Sequence, residues 1–177
     1  MPPCSISRAL ALFAALFATT MAQAQVVINE FSAANVSIVD DNYGEYEDVI
    51  ELYNTAATAT DLTGWYMSDR ADEPTKWQFP AGTSIAANGF LRIWASGKDE
   101  LSGGNIHTNF KITQTRNAEA IVLADPSGTP VDINEIDIPN KRNHSWGRTT
   151  NGAASWGVMT TPTIGANNAN VKLPYAL

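Results

Sequence analysis

The densest group of side chains that could do chemistry is the acidic run at residues 40–48, DDNYGEYED. Calcium binds through six to eight oxygen ligands, and such a run could supply them through Asp40, Asp41 and Glu45. The spacing departs from the helix–loop–helix calcium motif, because that motif needs glycine at its sixth position and Glu45 stands there. We therefore favour a solvated acidic loop, with calcium as the alternative.

Two further carboxylates, Glu30 and Asp48, lie within or beside apolar runs. A carboxylate in such a position must be hydrogen-bonded or paired if it is buried. We interpret both as structural anchors for strand ends or loops, in preference to catalytic groups.

The two histidines, His107 and His144, are far apart in the sequence, and the only cysteine is Cys4. Catalysis at neutral pH needs a nucleophile or a metal-bound water beside a tuned acid or base. A triad that assembles only in the folded chain stays open, but no sequence motif nominates one. We predict no catalytic residues, no cofactor-binding residues and no cofactor, and we interpret His107 as a satisfied, partly buried histidine.

Aromatic side chains could instead build a platform on which sugars stack. Strand alternation requires most of them in the core, which disfavours that use. A carbohydrate-binding module stays open, and two or more coplanar aromatics on one exposed strand face would distinguish it. The residues concerned are Trp65, Tyr66, Trp77, Trp94, Trp146 and Trp156.

The elements that must position these side chains are predicted to be strands. Short β-branched and aromatic runs alternate with period two and are separated by turn signals such as Asp125-Pro126-Ser127-Gly128 and Asn151-Gly152. This pattern predicts an all-β sandwich or barrel. The predicted strands are 26–31, 49–53, 65–68, 76–79, 90–95, 109–112, 120–123 and 131–133.

The N-terminus has the order of a secretory signal peptide: Arg8, an apolar run at 9–18, and an A-x-A site ending at Ala24. We predict a signal-peptide helix at 1–24 cleaved near Ala24, one domain at 25–168 and a short disordered tail at 169–177. The product would be secreted or periplasmic, with no transmembrane anchor and no disulfide after cleavage. The chain has a formal net charge of −7, which repels phosphate backbones and argues against nucleic acid as a partner.

In its order of motifs the chain resembles the lamin-tail domain family, in its bacterial secreted branch. The resemblance implies an immunoglobulin-like β-sandwich and an exported binding, adhesion or tethering module, whose partner is a protein or a cell-envelope or extracellular polymer. The alternatives are a carbohydrate-binding module or a small metal-dependent hydrolase or nuclease accessory. The matching blocks lie at 27–31 (VINEF), 47–54 (EDVIELYN), 61–69 (DLTGWYMSD), 76–80 (KWQFP), 88–91 (NGFL), 106–112 (IHTNFKI), 119–123 (EAIVL), 125–128 (DPSG), 145–148 (SWGR) and 161–167 (TPTIGAN).

Overall fold

Short alternating runs and glycine- or asparagine-rich turns give a chain built from strands. The computed structural model describes residues 25–113, 119–136, 141–169 and 171, and over them the secondary structure is entirely β. The strands are β1 (Val26–Ser32), β2 (Asp48–Asn54), β3 (Thr60–Asp61), β4 (Tyr66–Ser68), β5 (Trp77–Gln78), β6 (Ser84–Ile85), β7 (Phe90–Ala95), β8 (Glu100–Ser102), β9 (Asn105–His107), β10 (Ala120–Ala124), β11 (Pro130–Glu135), β12 (Ser145–Arg148) and β13 (Trp156–Met159).

Two sheets pack face to face as a sandwich. The larger has seven strands in the order β13-β12-β1-β2-β7-β9-β8, and the smaller has four in the order β11-β10-β4-β5; β3 and β6 form a separate pair. The apolar core between the sheets takes one face of each strand, for example Ile50 and Leu52 of β2 and Ile121 and Leu123 of β10. The architecture confirms the predicted all-β, immunoglobulin-like sandwich.

A β-bulge in β1 decides which residues of that strand reach the core. Ile28 and Phe31 are three positions apart, so strict alternation would place them on opposite faces of the sheet. The pairing with β2 shifts between Ile28 and Glu30, and the extra residue lets both apolar side chains enter the core. The side chains of Asn29 and Glu30, which lie between them in sequence, are on the face of the sheet away from the core. Both are nevertheless fully buried.

The bulge is held by an ion pair that joins the two sheets. Asp132 of β11 accepts a hydrogen bond from the backbone N–H of Ile28 (2.7 Å), and its carboxylate lies 2.7 Å from the guanidinium of Arg148 in β12. The Nε of Arg148 donates to the carbonyl of Ile28 (2.6 Å). The backbone groups of Ile28 are thus satisfied by side chains at the bulge.

Seven of the eight predicted strands are confirmed: β1, β2, β4, β5, β7, β10 and β11. The prediction for 109–112 is wrong, because this segment is a loop with one isolated bridge, Ser96 to Lys111. The alternation of apolar and polar residues in this segment arises because the loop buries the side chains of Phe110 and Ile112, which are 3% and 2% exposed. In the turn at 151–152, Gly152 has a positive φ of 71°.

The predicted signal peptide at 1–24 lies outside the described residues, as does most of the predicted tail at 169–177. Within the part of the chain that the structure describes, no helix is long and apolar enough to cross a membrane.

Candidate functional site

The acidic loop, residues 40–48, folds around one lysine. The ammonium of Lys98 lies 3.1 Å from Asp41, 2.8 Å from Glu45 and 3.0 Å from Glu47. Lys98 comes from the turn after β7, more than fifty residues along the chain from each of its partners. Lys111 adds a second ammonium 3.0 Å from Glu47.

Within the loop, Asp41 is the organising residue. Its Oδ1 accepts hydrogen bonds from the backbone N–H groups of Tyr43 (2.8 Å) and Glu45 (2.9 Å), and its Oδ2 accepts from Lys98. Gly44 closes the turn at φ +75°, a conformation that glycine adopts without penalty. The side chain of Asp41 is therefore buried, and the interpretation of a solvated loop is wrong for this residue.

The three calcium candidates have different surroundings. Asp41 has both oxygens engaged by protein donors, Glu45 is bonded to Lys98, and Asp40 is exposed. Over the described ranges, no group of three or more histidine, cysteine or acidic residues is arranged to hold a metal ion. Calcium binding by this loop stays the untested alternative.

The ammonium of Lys98 contributes to the pKa values of the carboxyl groups in the loop. Burial opposes ionisation of Asp41, but the backbone donors at Glu45 and Tyr43 together with Lys98 outweigh it and lower the pKa of that carboxyl. Burial likewise opposes ionisation of Glu47, and its bonds to Lys98 and Lys111 lower its pKa. Against the cost of its own burial, the carboxylates raise the pKa of Lys98. Asp41, Glu47 and Lys98 are therefore ionised at neutral pH.

His107 lies behind this loop and is fully buried. Its Nε2 is 2.9 Å from the amide oxygen of Asn42 and its Nδ1 is 3.0 Å from the hydroxyl of Ser96. Because that oxygen can only accept, Nε2 carries the proton and Nδ1 accepts from Ser96. Burial, assisted by Lys98, lowers the pKa of His107, so the ring is neutral at pH 7.

The prediction of a satisfied histidine is confirmed for His107, whose burial is complete. The structure does not bring the two histidines together. His144 precedes β12, which is separated from β9 by three strands of the larger sheet, a distance of about 19 Å.

Exposed apolar side chains occur on this loop and on the neighbouring β8–β9 hairpin. Tyr43 is 51% exposed, Tyr46 49% and Leu101 55%. The hydroxyl of Tyr43 lies 3.1 Å from that of Ser102, which fixes the loop against the β8–β9 hairpin that carries Leu101. Leu101 is paired with the core residue Ile106, so its side chain lies on the opposite face of β8 from Ser102 and does not join this surface. We call Tyr43 and Tyr46 the loop-end patch.

A second acidic group lies on the outer face of the larger sheet, where Glu30 of β1 stands opposite Glu51 of β2. Both are fully buried, beneath the segment 163–168 that follows β13, which we call the clasp. Glu30 accepts from the backbone N–H (2.9 Å) and the hydroxyl (2.6 Å) of Thr163, and from the hydroxyl of Ser145. Glu51 accepts a short hydrogen bond from the N–H of Gly165.

Two asparagines complete the clasp. The amide of Asn29 donates to Glu51 (2.9 Å) and to the amide oxygen of Asn168 (3.0 Å), while its own oxygen accepts from the N–H of Gly152 (3.2 Å). The amide of Asn168 donates to the carbonyls of Asn29 (3.2 Å) and Arg148 (2.7 Å). The prediction that Glu30 is a structural anchor is confirmed.

The pKa values of Glu51, under the clasp, and of Asp48, at the end of the loop, are shifted in the opposite direction to those of Asp41 and Glu47. Burial raises the pKa of Glu51 to about 7, against its hydrogen bonds from Asn29 and Gly165 and with a contribution from Glu30. Burial also raises the pKa of Asp48 to about 6, although the N–H of Asn35 lies 3.4 Å from it. Asp48 is thus a half-buried carboxyl at the start of β2 that accepts a hydrogen bond from Asn35, in agreement with its predicted role as a structural anchor.

Sequence reasoning missed Lys98, Asn168 and Thr163. The sequence contains one local signal for the clasp. Asn29 and Glu30 are two consecutive polar residues between the apolar Ile28 and Phe31, whereas strict alternation would place a single polar residue between two apolar ones. No local signal identifies Lys98, because its partners are distant in sequence.

Three of the tryptophans are buried, and a half-exposed aromatic pair on the outer face is not flat. Trp77, Trp94 and Trp146 are buried, as predicted for core residues. The half-exposed pair on the outer face of the larger sheet, Tyr53 and Phe90, has ring centroids 5.1 Å apart and ring planes inclined at 41°. Such an inclined pair offers no common plane to a sugar ring.

One cavity of about 400 Å³ opens beside the bulge, lined by Val27, Val131, Asp132, Arg148, Gly152, Ala153 and Ala154. Its charged groups, Asp132 and Arg148, are those that hold the bulge, and Arg148 also donates to the carbonyl of Ala153. These polar groups have a structural role.

Comparison with known proteins supports the resemblance seen in the motifs. The lamin tail domain family model matches residues 19–138, which is more than half of the chain. The blocks at 145–148 and 161–167 lie beyond that match; here they form β12 and part of the clasp. No curated protein matches the chain. The chain belongs to the lamin tail domain family.

Proposed function

We propose that this protein is an exported, non-catalytic module that binds, adheres or tethers through the loop-end patch. The observation that carries the proposal is the distribution of exposed apolar side chains. Five large apolar residues in the described part of the chain are at least 44% exposed. Two of them, Tyr43 and Tyr46, form the patch, and a third, Val36, lies in the segment leading to the loop. Exposed apolar surface rimmed by polar groups is characteristic of interaction sites.

The rigidity of the loop supports the same proposal. A surface that is already ordered loses little conformational entropy when a partner binds. Here Asp41 fixes the backbone of the loop, Lys98 draws its carboxylates together, and Tyr43 is tied to the β8–β9 hairpin through Ser102. The exposed rings are therefore held on a scaffold.

The structural hydrogen bonds made by Glu30, Glu51 and His107 support a non-catalytic role. Glu30 and Glu51 accept hydrogen bonds that hold the clasp, and both ring nitrogens of His107 face polar partners within the protein. Groups committed to structural hydrogen bonds are poorly placed to exchange protons with a substrate.

Retention on the exporting cell's own envelope tests the binding role. We expect the purified domain to be retained and the Y43S/Y46S variant to lose most of that retention, because tyrosines supply large contact area at interfaces. N167A, on the exposed side of the clasp, is the matched control and should be retained like the wild type. Equal retention of Y43S/Y46S and wild type would remove the patch from the proposal.

The non-catalytic part has its own test. Nuclease, esterase, protease and glycosidase substrates should show no turnover, with or without divalent metals. Reproducible turnover that is lost on His107→Ala or His144→Ala, with the fold intact by circular dichroism, would contradict the proposal.

A further inference from the structure

We propose that the clasp is a pH-dependent strap, which opens more often as the pH rises from acidic to alkaline while the sandwich beneath it stays folded. The strap lies on the outer face of the larger sheet, where Glu30 and Glu51 stand opposite each other. It does not involve the loop-end patch and is independent of the proposed binding function.

Hydrogen bonds attach the clasp to the sheet. Thr163 and Gly165 donate to Glu30 and Glu51, and Asn168 donates to backbone carbonyls of the strands beneath it. The structure describes every residue of the clasp, and none of them belongs to the apolar core or to a strand. A segment with few buried apolar contacts opens at a lower free-energy cost than the core strands. The clasp can therefore lift without breaking a strand pairing.

The two carboxylates beneath the clasp accept their hydrogen bonds from neutral groups, which are backbone N–H groups, hydroxyls and an amide. Like charges on directly opposite residues of antiparallel strands destabilise the pairing. Arg92 pairs with Glu51 from β7, but its side chain is exposed and its guanidinium lies over the ring of Trp94, 4.9 Å from the ring centroid. Negative charge on both Glu30 and Glu51 is therefore poorly compensated while the clasp is closed.

The other elements around Glu51 supply little charge. The clasp and the turn at 149–155 contain no titratable side chain. Arg148 shares a face of β12 with the core residue Trp146, and on that face it binds Asp132. The titratable or charged groups on the strands around Glu51 are Glu30 on β1, Tyr53 on β2, Arg92 on β7 and Arg148 on β12.

Ionisation of Glu51 is opposed by burial, and that burial ends when the clasp lifts. Burial raises the pKa of Glu51 from its ordinary 4.5 to about 7 in the closed protein. Opening returns the carboxyl to water, so the closed state binds the proton more tightly than the open state does. This preference stabilises the closed clasp in full below pH 4.5 and is lost as the pH rises through about 7. A rise in pH therefore favours opening.

Amide hydrogen exchange of the full chain, followed by NMR between pH 5 and pH 7.5, tests the strap. After correction for the intrinsic pH dependence of exchange, protection of the Thr163 and Gly165 amides should fall by about fiftyfold, the change in the opening equilibrium that the two pKa values of Glu51 imply. At each pH these two amides should be at least about tenfold less protected than the amides of the fully buried strand β10, because opening of the clasp is local.

Two variants of β2 identify the group that titrates. Glu51→Gln cannot ionise and should reduce the pH dependence of protection at Thr163 and Gly165 to less than about threefold. Asp48→Asn is the matched control, because Asp48 is a second carboxyl of β2 with a raised pKa, about 6, and it is bonded to Asn35 instead of the clasp. We expect this control to keep the pH dependence of the wild type.

Three results would overturn the strap. The first is equal protection of the clasp and β10 amides in the wild type, since the clasp would then open only when the whole domain unfolds. The second is clasp protection that does not change with pH, and the third is a wild-type pH dependence in Glu51→Gln. If Glu51→Gln is unfolded by circular dichroism, the first two measurements, which use the wild-type chain alone, decide.

Discussion

The acidic loop and the clasp use the same kind of side chain in opposite electrostatic settings. In the loop, Asp41 and Glu47 meet the ammonium of Lys98 and their pKa values are lowered. Under the clasp, Glu51 stands opposite Glu30 and is bound by neutral amide donors, and burial raises its pKa to about 7. A carboxylate cluster is therefore defined by its partners, and its composition alone does not predict its behaviour.

The two regions should respond to pH in opposite directions. A carboxyl whose pKa is lowered on folding stabilises the protein above its unfolded pKa, near 3.8 for Asp41, and that stabilisation is lost as the pH falls through the folded pKa. A carboxyl whose pKa is raised on folding contributes stability below the unfolded pKa, 4.5 for Glu51, and loses it as the pH rises through about 7. For these two groups together, stability should be greatest between about pH 3.8 and pH 4.5, above the first window and below the second.

The largest effect is expected from breaking the clasp. Asn168→Ala removes two donors and one acceptor from a fully enclosed network and leaves the carbonyls of Asn29 and Arg148 without those partners. Buried unsatisfied groups cost about 1–3 kcal/mol each, so we expect a loss of about 4 kcal/mol in the free energy of unfolding, measured by urea denaturation. The neighbouring Asn167→Ala, at an exposed position, should cost less than about 1 kcal/mol. Similar losses for both would mean that the clasp contributes little.

The next effect concerns the charge of Glu51. The rise of its pKa from 4.5 to about 7 implies a loss of roughly 3 kcal/mol of stability as the pH increases across that interval. Glu51→Gln cannot ionise, so its unfolding free energy should change much less between pH 5 and pH 8. Asp48, with a pKa of about 6, should account for part of the slope that remains. A variant with the wild-type slope would show that Glu51 does not titrate in this range.

A smaller effect is expected from removing the cation of the loop. Lys98→Met leaves the buried Asp41 and its two acidic neighbours without their shared ammonium, and should cost about 2 kcal/mol at pH 7. Lys111→Met, at a more exposed position with one partner, should cost less than about 1 kcal/mol. Millimolar calcium should leave the melting temperature of the wild type nearly unchanged, since a ligand that binds only the native state must raise it. A rise of several degrees, abolished by D40A/D41A, would contradict this expectation.

Most of the sandwich follows from local sequence. The alternation of β1, β2 and β7 and the turn at Asp125–Gly128 are local signals, and the turn forms with the N–H of Gly128 donating to Asp125. The strands β3, β6, β8, β9, β12 and β13 escaped prediction; the first four have two or three residues, which are too few to display a period. The opposite error at 109–112 arose because a loop that buries alternate side chains imitates a strand.

The two polar regions were predictable only in part. Glu30 was recognised as an anchor, since a carboxylate between apolar residues needs partners. Those partners, Thr163 and Ser145, come from segments more than one hundred residues away. Lys98 is also distant in sequence from its carboxylate partners. Without that partner, the sequence indicated a solvated loop. Contacts between distant segments depend on the fold, and they cannot be predicted from the local sequence at 40–48.

The most direct test of the difference between the two regions is a titration of the side-chain carboxyl groups by carbon-detected NMR on the folded protein. Glu51→Gln and Asp41→Asn variants would assign the two resonances. We expect the Glu51 carboxyl to titrate near pH 7 and the Asp41 carboxyl to titrate below its ordinary value of 3.8 in the same sample. If both groups titrate near their ordinary values, burial and Lys98 do not set the two regions apart as described.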